Sequence, residues 1–473
     1  MEYIFHGPLR RCSANPRYFT DDTGEAIYLT GSHTWSVFQD HVDDAGNLID
    51  AFDYPAFLDF MEAHHHNFLR FWCREQAFGA PFFGKTYPVA YCEAGKAEDG
   101  HPLYDLTKLN PEYFQRLRDR VILAGKRGIY VSVMLFDGWG VDTRSRSPFA
   151  GHPYNKANNI NGIDGNPKRL NNGTALSGEN DINPFDPQEH IVIQTLEDPK
   201  ITELQKAYVK KVIETLNDLD HVMFEICNEG LRWTRYWQYE MIDFIKETEK
   251  NLPKQHPVWM SHLVTAQNEA LLVSHADAIS PGEESTEGPY CIDPPVGDGR
   301  QVIFADTDHL GGIWGTSQWV WKSFLRGLNP IFMDTYNRGD QRNTTAMEGP
   351  LQMLFGRVQY GLPENWQEPV RVALGQTRKF AEKINLTRMV PVGRAISSTG
   401  YCLADHGEEY LVYQPECGQF KLKLYGASGP FQVEWFNPQT GETFLGETFP
   451  GGTAIDFTPP FVGEAVLYLY RKP

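Results

Sequence analysis

About eight short apolar runs, each ending in polar or aromatic residues, recur along the first 334 residues and alternate with segments of helical periodicity. Strands that alternate with helices imply parallel βαβ units. Eight such units predict a (β/α)8 barrel, in which the chemistry lies at the carboxyl ends of the strands. The apolar runs are 26–35, 67–72, 128–137, 221–229, 257–262, 276–280, 301–306 and 330–334.

The segments between these runs carry apolar residues at helical spacing. The predicted helices are 54–65, 111–127, 201–219, 235–251 and 347–360. The stretch 145–187 is different, because it is rich in Gly, Asn, Asp and Pro and has little periodicity. A long segment of this kind after the third strand predicts a loop over the face where the strands end.

From about residue 395 the pattern changes to period two, with turns such as 437–441 and 450–452 between the runs. This pattern is typical of a small antiparallel β-sandwich. The sequence therefore predicts an α/β fold class in which a (β/α)8 TIM barrel, the catalytic domain, spans residues 1–392. A C-terminal antiparallel β-sandwich domain spans 393–473.

The charge balance excludes some partners. There are 43 Lys and Arg residues against 61 Asp and Glu residues, a formal net charge of −18. An acidic chain does not favour nucleic acid or an anionic membrane surface, and no run is long and apolar enough to span a bilayer. The start has no apolar signal segment, and the seven cysteines are scattered without a C-x-x-C pair. A cytoplasmic location is expected unless a leader has been cut off. The oligomeric state stays open.

The run Phe224-Glu225-Ile226-Cys227-Asn228-Glu229 carries the clearest chemical signal. It places a carboxyl group and an amide at the end of the fourth predicted strand. Glycoside hydrolysis needs two carboxyl groups, one to protonate the leaving oxygen and one to attack or to activate water. We interpret Glu229 as the general acid/base and Asn228 as a group that binds a sugar hydroxyl. The alternative is a structural glutamate paired with a neighbouring arginine.

This run resembles the fourth strand of the clan A glycoside hydrolases, a superfamily of (β/α)8 barrels in which the final Glu is the acid/base. The seventh strand of that clan usually ends in a nucleophilic Glu, whereas the corresponding run here is Val302-Ile303-Phe304-Ala305-Asp306. The resemblance makes Asp306 the first candidate for the second carboxylate, with retention of configuration as the expected outcome. Asp308 is the rival, since it lies two residues on. A pair about 5 Å apart favours retention and a wider pair inversion.

A narrower resemblance covers nearly the whole chain. The segments 7–10, 15–19 and 28–35 are similar to the opening of a bacterial family of apiosidase-like barrels, whose members are often labelled cellulases or collagen-binding proteins. The C-terminal sandwich of that family carries the motif Trp-Phe-x-Pro-x-Thr-Gly, matched here by 435–441. The resemblance implies the barrel, the sandwich and a glycosidase activity. Nothing in the sequence suggests recognition of a collagen triple helix.

Other residues at strand ends are further candidates. The clan resemblance implies that Arg70 would hydrogen-bond the nucleophilic carboxylate, and the alternative is a structural ion pair. His33 and Trp35 would contact the sugar. Other candidates for binding sugar hydroxyls are Asp137, His309 and Asp334, and the candidate stacking platforms are Trp72, Trp139, Trp314, Trp319 and Trp321.

No motif indicates a metal or a cofactor. The run His64-His65-His66 is a poor metal site, because consecutive residues do not converge on one ion. The expected partner is a carbohydrate substrate, an oligosaccharide or a plant or bacterial glycan. Two alternatives stay open: a lyase or metal-dependent sugar enzyme on the same scaffold, and a carbohydrate-binding barrel without catalysis.

Overall fold

The computed structural model describes a two-part chain. The described residues are 3–43, 47–50, 52–78, 84–141, 148–168, 191–264, 266–286, 288–336 and 365–471. The predicted helix 347–360 and much of the predicted loop 145–187 lie outside these residues.

Eight parallel strands form the barrel. They are β1 (Gly31–His33), β2 (Phe68–Phe71), β3 (Tyr130–Asp137), β4 (Val222–Asn228), β5 (Val258–Ser261), β6 (Ala278–Ser280), β7 (Val302–Asp306) and β8 (Asn329–Met333). From β2 to β8 each strand pairs with the next, and β8 pairs with β1. The Phe68 amide donates to the Thr30 carbonyl at 3.2 Å, which brings β2 beside β1. The predicted (β/α)8 barrel is confirmed.

Helices surround the strands. They are α1 (Tyr54–Ala63), α2 (Pro111–Gly125), α3 (Pro199–Leu216), α4 (Arg235–Glu249), α5 (Glu269–Leu272), α6 (Thr307–Leu310), α7 (Ser317–Leu325) and α8 (Glu368–Lys383). The side chains of Asp53, Asn110 and Asp198 accept from backbone amides of the first turn of α1, α2 and α3, each of which also holds a proline. Both features favour helix starts. Between β6 and β7 no helix occurs among the described residues.

Short additional strands lie outside the barrel. One three-stranded sheet contains Arg10–Arg11, Phe19–Thr20 and Ala26–Ile27, and another contains Asp40–Val42, Leu48–Asp50 and Lys85–Tyr87. Tyr91–Lys96 and Pro102–Leu109 form a hairpin. The described residues of this part of the fold also contain the 3-10 helices Gly138–Val141, Pro148–Gly151, Lys156–Asn158 and Arg232–Thr234.

The C-terminal part is built from antiparallel strands. They are β9 (Val390–Pro391), β10 (Cys402–Asp405), β11 (Glu409–Gln414), β12 (Phe420–Lys423), β13 (Pro430–Phe436), β14 (Thr443–Pro450), β15 (Ala454–Phe457) and β16 (Ala465–Arg471), with a short helix α9 (Gly393–Ile396). One sheet has the order β9-β10-β11-β16-β13-β14, and β12 pairs with β15. Both sheets share one apolar cluster, so the predicted sandwich is confirmed. Its first strand begins at Val390, three residues before the expected start of the sandwich at residue 393.

An aromatic cluster joins the barrel to the sandwich. Trp321 of α7 stacks on Tyr413 of β11 with ring centroids 5.9 Å apart, and Phe380 of α8 contacts Phe436 of β13 at 5.2 Å. Trp321 is 0% exposed. The prediction that Trp321 is a sugar-stacking platform is therefore wrong, because its ring fills the contact between the two parts.

None of the described helices is long and apolar enough to cross a membrane.

We expect Trp321→Ala to lower the free energy of unfolding by about 3–5 kcal/mol, because it leaves a cavity in a closed aromatic cluster. Urea unfolding followed by circular dichroism measures the change. Trp314→Ala is the matched control, since Trp314 is 45% exposed, and we expect it to cost about 1 kcal/mol or less. Equal costs for the two variants would contradict the burial of Trp321.

Candidate active site

Arg70 at the end of β2 is the centre of a buried ion-pair cluster. Its Nε and Nη2 donate to the two oxygens of Glu225 at 2.7 and 2.6 Å. Its Nη1 donates to Asp308 Oδ2 at 2.7 Å and to Asp306 Oδ2 at 3.2 Å. The guanidinium is fully buried, so three carboxyl groups from β4, β7 and α6 share one cation.

The amide of Asn228 extends this cluster across the barrel mouth. Its Oδ1 accepts from Arg70 Nη2 at 2.5 Å and from His309 Nε2 at 3.3 Å. Because an amide oxygen only accepts, His309 carries its proton on Nε2, and its Nδ1 accepts from the Ser280 hydroxyl at 2.8 Å. Burial lowers the pKa of His309 to about 4, so the ring is neutral at pH 7. The amide nitrogen of Asn228 makes no hydrogen bond within the described residues and remains for a ligand.

A chain of hydrogen bonds fixes His33. The Trp72 indole donates to His33 Nδ1 at 3.0 Å, so the ring proton lies on Nε2, which donates to Asp306 Oδ1 at 2.9 Å. His33 is buried with both ring nitrogens engaged. The predicted sugar contact by His33 is therefore corrected: its ring holds Asp306 instead.

Opposing effects separate the acidities of the buried carboxyl groups. Burial would raise the pKa of Asp306, but His33 and Arg70 outweigh burial and hold that pKa below its ordinary value. Burial also raises the pKa of Glu225, and there Arg70 does not reverse the shift. For Arg70, burial would lower the pKa, yet its carboxylate partners raise it above the ordinary value.

A second arginine lies beside the first, with an indole between them. The ring centroid of Trp72 is 4.8 Å from the Arg70 guanidinium carbon and 5.3 Å from that of Arg74. Arg74 Nη1 donates to Asp137 Oδ2 at 3.0 Å, and both groups are buried. Trp72 and Asp137 thus serve this internal network, which corrects their predicted roles as a stacking platform and a hydroxyl acceptor.

Glu229 follows β4 directly in an unusual backbone conformation. Its φ is 45°, in the left-handed region that a non-glycine residue adopts at a cost. Gly138 at the end of β3 makes room for this turn, since a Cβ there would lie 2.6 Å from the Glu229 carbonyl oxygen. Burial lowers the pKa of Arg74, and its partner Asp137 opposes that shift most, with smaller contributions from Asp308 and Glu229. Both of these carboxyl groups therefore act electrostatically on the same cation.

Other predicted residues do not join the cluster. Asp334 is buried and forms a two-fold ion pair with Arg371, at 2.8 Å to Nε and 2.5 Å to Nη2, which corrects its predicted role. Trp35 is buried with its ring 6.4 Å from that of Trp72. Trp319 is buried, Trp314 is half-exposed beside Trp366 at 4.8 Å, and the side chain of Trp139 lies outside the described residues.

Glu225 and Arg74 are functional candidates that the sequence reasoning missed. Glu225 lies in the middle of β4 among apolar residues. A charged residue inside a buried strand needs a buried counter-charge, and that signal points to an arginine on a neighbouring strand.

Three of these groups have the side-chain chemistry of metal ligands. The ligand atoms of Asp306, Asp308 and His309 lie within 4.8 Å of one another. However, Arg70 already bonds both carboxylates, and both nitrogens of His309 are engaged with Asn228 and Ser280. A divalent cation there would be repelled by the guanidinium, so the donors fit an ion-pair cluster and not a metal site.

We expect Arg70→Met to lower the free energy of unfolding by about 3–5 kcal/mol at pH 7, because it leaves buried carboxyl groups without a counter-charge. The cost should shrink at pH 5, where those groups take up protons. Arg10→Met is the control, since it removes an exposed ion pair with Asp22, which typically contributes about 0–1 kcal/mol. Urea titrations at both pH values measure the free energy of unfolding. An equal loss in Arg70→Met and Arg10→Met would reject the central role of Arg70.

His309 should make the protein less stable in mild acid. The unfolded chain binds a proton at His309 near pH 6.5 and the folded chain only near pH 4, so stability falls as the pH drops through that window. The full effect is about 3 kcal/mol. In His309→Gln this part of the pH dependence should disappear, while the part due to His66, with a pKa lowered by burial to about 3, stays. The expectation is contradicted if the free energy of unfolding changes with pH by the same slope in the wild type and in His309→Gln.

Two family models match the sequence. Residues 53–278 match a domain of unknown function (DUF6298), and residues 390–467 match a model described as the putative collagen-binding domain of a collagenase. The second match confirms the C-terminal domain expected from the Trp-Phe-x-Pro-x-Thr-Gly motif. No curated protein matches the sequence closely.

Solved structures of low sequence identity share the fold over the full chain. A glycoside hydrolase aligns with a TM-score of 0.60 at 12% identity, covering 100% of this chain and 99% of that one. A family 5 glycoside hydrolase from Bacteroides vulgatus aligns with a TM-score of 0.61 at 11% identity, covering 100% and 94%. The chain therefore has the two-part fold of these glycoside hydrolases, a (β/α)8 barrel followed by an antiparallel β-domain.

Proposed function

We propose that the protein is a glycoside hydrolase in which Glu229 is the general acid/base and Asp308 is the second carboxylate. One observation carries the proposal: Glu229 directly follows β4 and Asp308 closely follows β7, so both carboxyl groups are at the carboxyl ends of the barrel strands, where Asp308 bonds Arg70. Carboxyl ends of barrel strands are where this fold places its chemistry. The shared fold with glycoside hydrolases supports the reaction class.

Glu229 suits the role of proton donor by its position. It directly follows Asn228, whose amide oxygen is held by Arg70 and His309. The amide nitrogen of Asn228 would then bind a hydroxyl of the sugar next to the reacting carbon. Glu229 would protonate the glycosidic oxygen as the bond breaks and later take a proton from water.

The geometry favours Asp308 over Asp306 as the carboxylate that attacks the sugar or activates water. The Asp306 side chain is 0% exposed, and its oxygens are occupied by His33, Arg70 and the Asp308 amide. The Asp308 side chain is 5% exposed, and Arg70 bonds only one of its oxygens. Asp306 would instead hold Arg70 and His33 in place.

The surplus of carboxylates around Arg70 supports the same chemistry. A glycosidic bond breaks through a transition state with positive charge on the sugar ring. Three carboxyl groups that share one buried guanidinium leave negative charge facing that ring. The substrate class is therefore a carbohydrate, and hydrolysis by this mechanism needs no cofactor.

We expect Glu229→Gln and Asp308→Asn each to lower kcat on aryl glycosides and oligosaccharides by about a hundredfold to ten-thousandfold. A chromogenic panel first identifies the sugar, and NMR of the first product then reports the anomeric configuration, with retention expected. Matched controls are Glu247→Gln and Asp59→Asn, whose side chains are exposed and which should leave kcat unchanged.

Asp306→Asn separates the two candidates for the second carboxylate. We expect it to retain more activity than Asp308→Asn. If Asp308→Asn kept full activity and Asp306→Asn had none, Asp306 would be the second carboxylate. A wild type that binds sugars without cleaving any of them would favour the non-catalytic alternative and reject the hydrolase.

A further inference from the structure

A groove with a volume of about 420 Å³ lies between the barrel and the sandwich. One wall is the end of α1 with His64 and His65, and the second is a stripe of α8 from Val372 to Lys383. The third is the hairpin end between β13 and β14, where the 435–441 motif makes its turn. His65 lies just before β2 begins, so the groove is at the opposite end of the barrel from Glu229.

Most charged groups around the groove are paired, and Lys379 is the exception. Lys383 pairs with Glu434, Arg378 with Glu382, and His64 with Glu368. No carboxylate within salt-bridge distance of Lys379 occurs in the described part of the chain, and the side chain is exposed along the stripe of α8. The groove therefore presents an uncompensated cation.

The side chain of His65 lies near the cations of the groove. Burial lowers its pKa first, and the neighbouring cations Lys379 and Arg378 lower it further. Glu382 opposes this shift, and His64 adds to it. Lys379 is thus a cation without an ion-pair partner in the described residues, close to His65, in a chain with a formal net charge of −18.

The shape of the groove depends on a close helix contact and on two buried phenylalanines beneath it. Gly375 lets α8 approach the end of α1, since a Cβ there would lie 2.0 Å from the His64 carbonyl oxygen. Phe380 and Phe436 line the groove together with Gln376 and Thr443. The Gln376 amide nitrogen donates to the Pro438 carbonyl at 2.9 Å, which leaves its oxygen for a ligand hydroxyl.

We propose that this groove binds a sugar ring that carries an anionic group, with Lys379 and His65 holding the anion. The volume is in the range of small-molecule sites, which are often found at domain contacts. Val372, which is 39% exposed, offers the ring an apolar contact, and Gln376 and Thr443 fit its hydroxyls. The anionic group of the sugar is a carboxylate or a phosphate, because either can accept hydrogen bonds from Lys379 and His65.

Isothermal titration calorimetry of the full-length protein with glucuronate, glucose 6-phosphate, glucose and inorganic phosphate tests the proposal. We expect at least one of the two charged sugars to bind, and to bind more tightly than both glucose and phosphate. The charged sugar that binds more tightly shows whether the anionic group is a carboxylate or a phosphate. Binding should raise the pKa of His65, because a nearby anion favours the charged ring, and NMR of the histidine resonances measures this shift.

Lys379→Gln should weaken binding of the charged sugar about tenfold or more, which is typical of a lost hydrogen bond to a charged group. His65→Asn is the second variant, chosen because asparagine tolerates the φ of 57° at this position, and it should also weaken binding. Lys421→Gln is the matched control on β12, where it pairs with Asp456, and should change nothing. The proposal is rejected if neither charged sugar binds, if glucose binds as tightly, or if Lys379→Gln behaves like Lys421→Gln.

Discussion

The buried guanidinium of Arg70 is the interaction on which the barrel mouth depends. It binds Glu225 with two hydrogen bonds and also reaches Asp306, Asp308 and the Asn228 amide. These partners come from β4, β7 and α6, so one side chain of β2 determines how distant segments approach one another. Each carboxyl group is tolerable in the interior only because this cation is present.

The two histidines of the cluster complete this arrangement without adding charge. The hydrogen-bond partners of His33 and His309 leave one proton on each ring, on Nε2 in both cases. The charge in the cluster is therefore carried by Arg70 and the carboxyl groups, and the imidazoles orient them. Hydrogen bonds within the cluster thus hold its groups in place before any ligand arrives, as the proposed stabilisation of a cationic transition state would require.

The sequence was sufficient to predict the barrel, the sandwich and the strand ends, because these follow from runs of apolar residues and their periodicity. It was not sufficient to tell which polar side chains face each other. Asp334 was predicted to bind sugar, yet Arg371, 37 residues further along, occupies both of its oxygens. Glu225 was missed, because a single acidic residue inside a strand has no local pattern. No helix was predicted at the position of α7 (Ser317–Leu325), and nothing local in the sequence says that the sandwich covers Trp321.

The aromatic contact between the barrel and the sandwich has a consequence for relatives of this chain. Trp321, Phe380 and Phe436 are buried only because both parts are present. A barrel of the same fold that lacks a sandwich would expose the corresponding positions of α7 and α8 to water, and polar residues should replace the aromatic ones there. The identity of two helix positions is thus a sequence marker that distinguishes single-barrel relatives from those that carry the second domain.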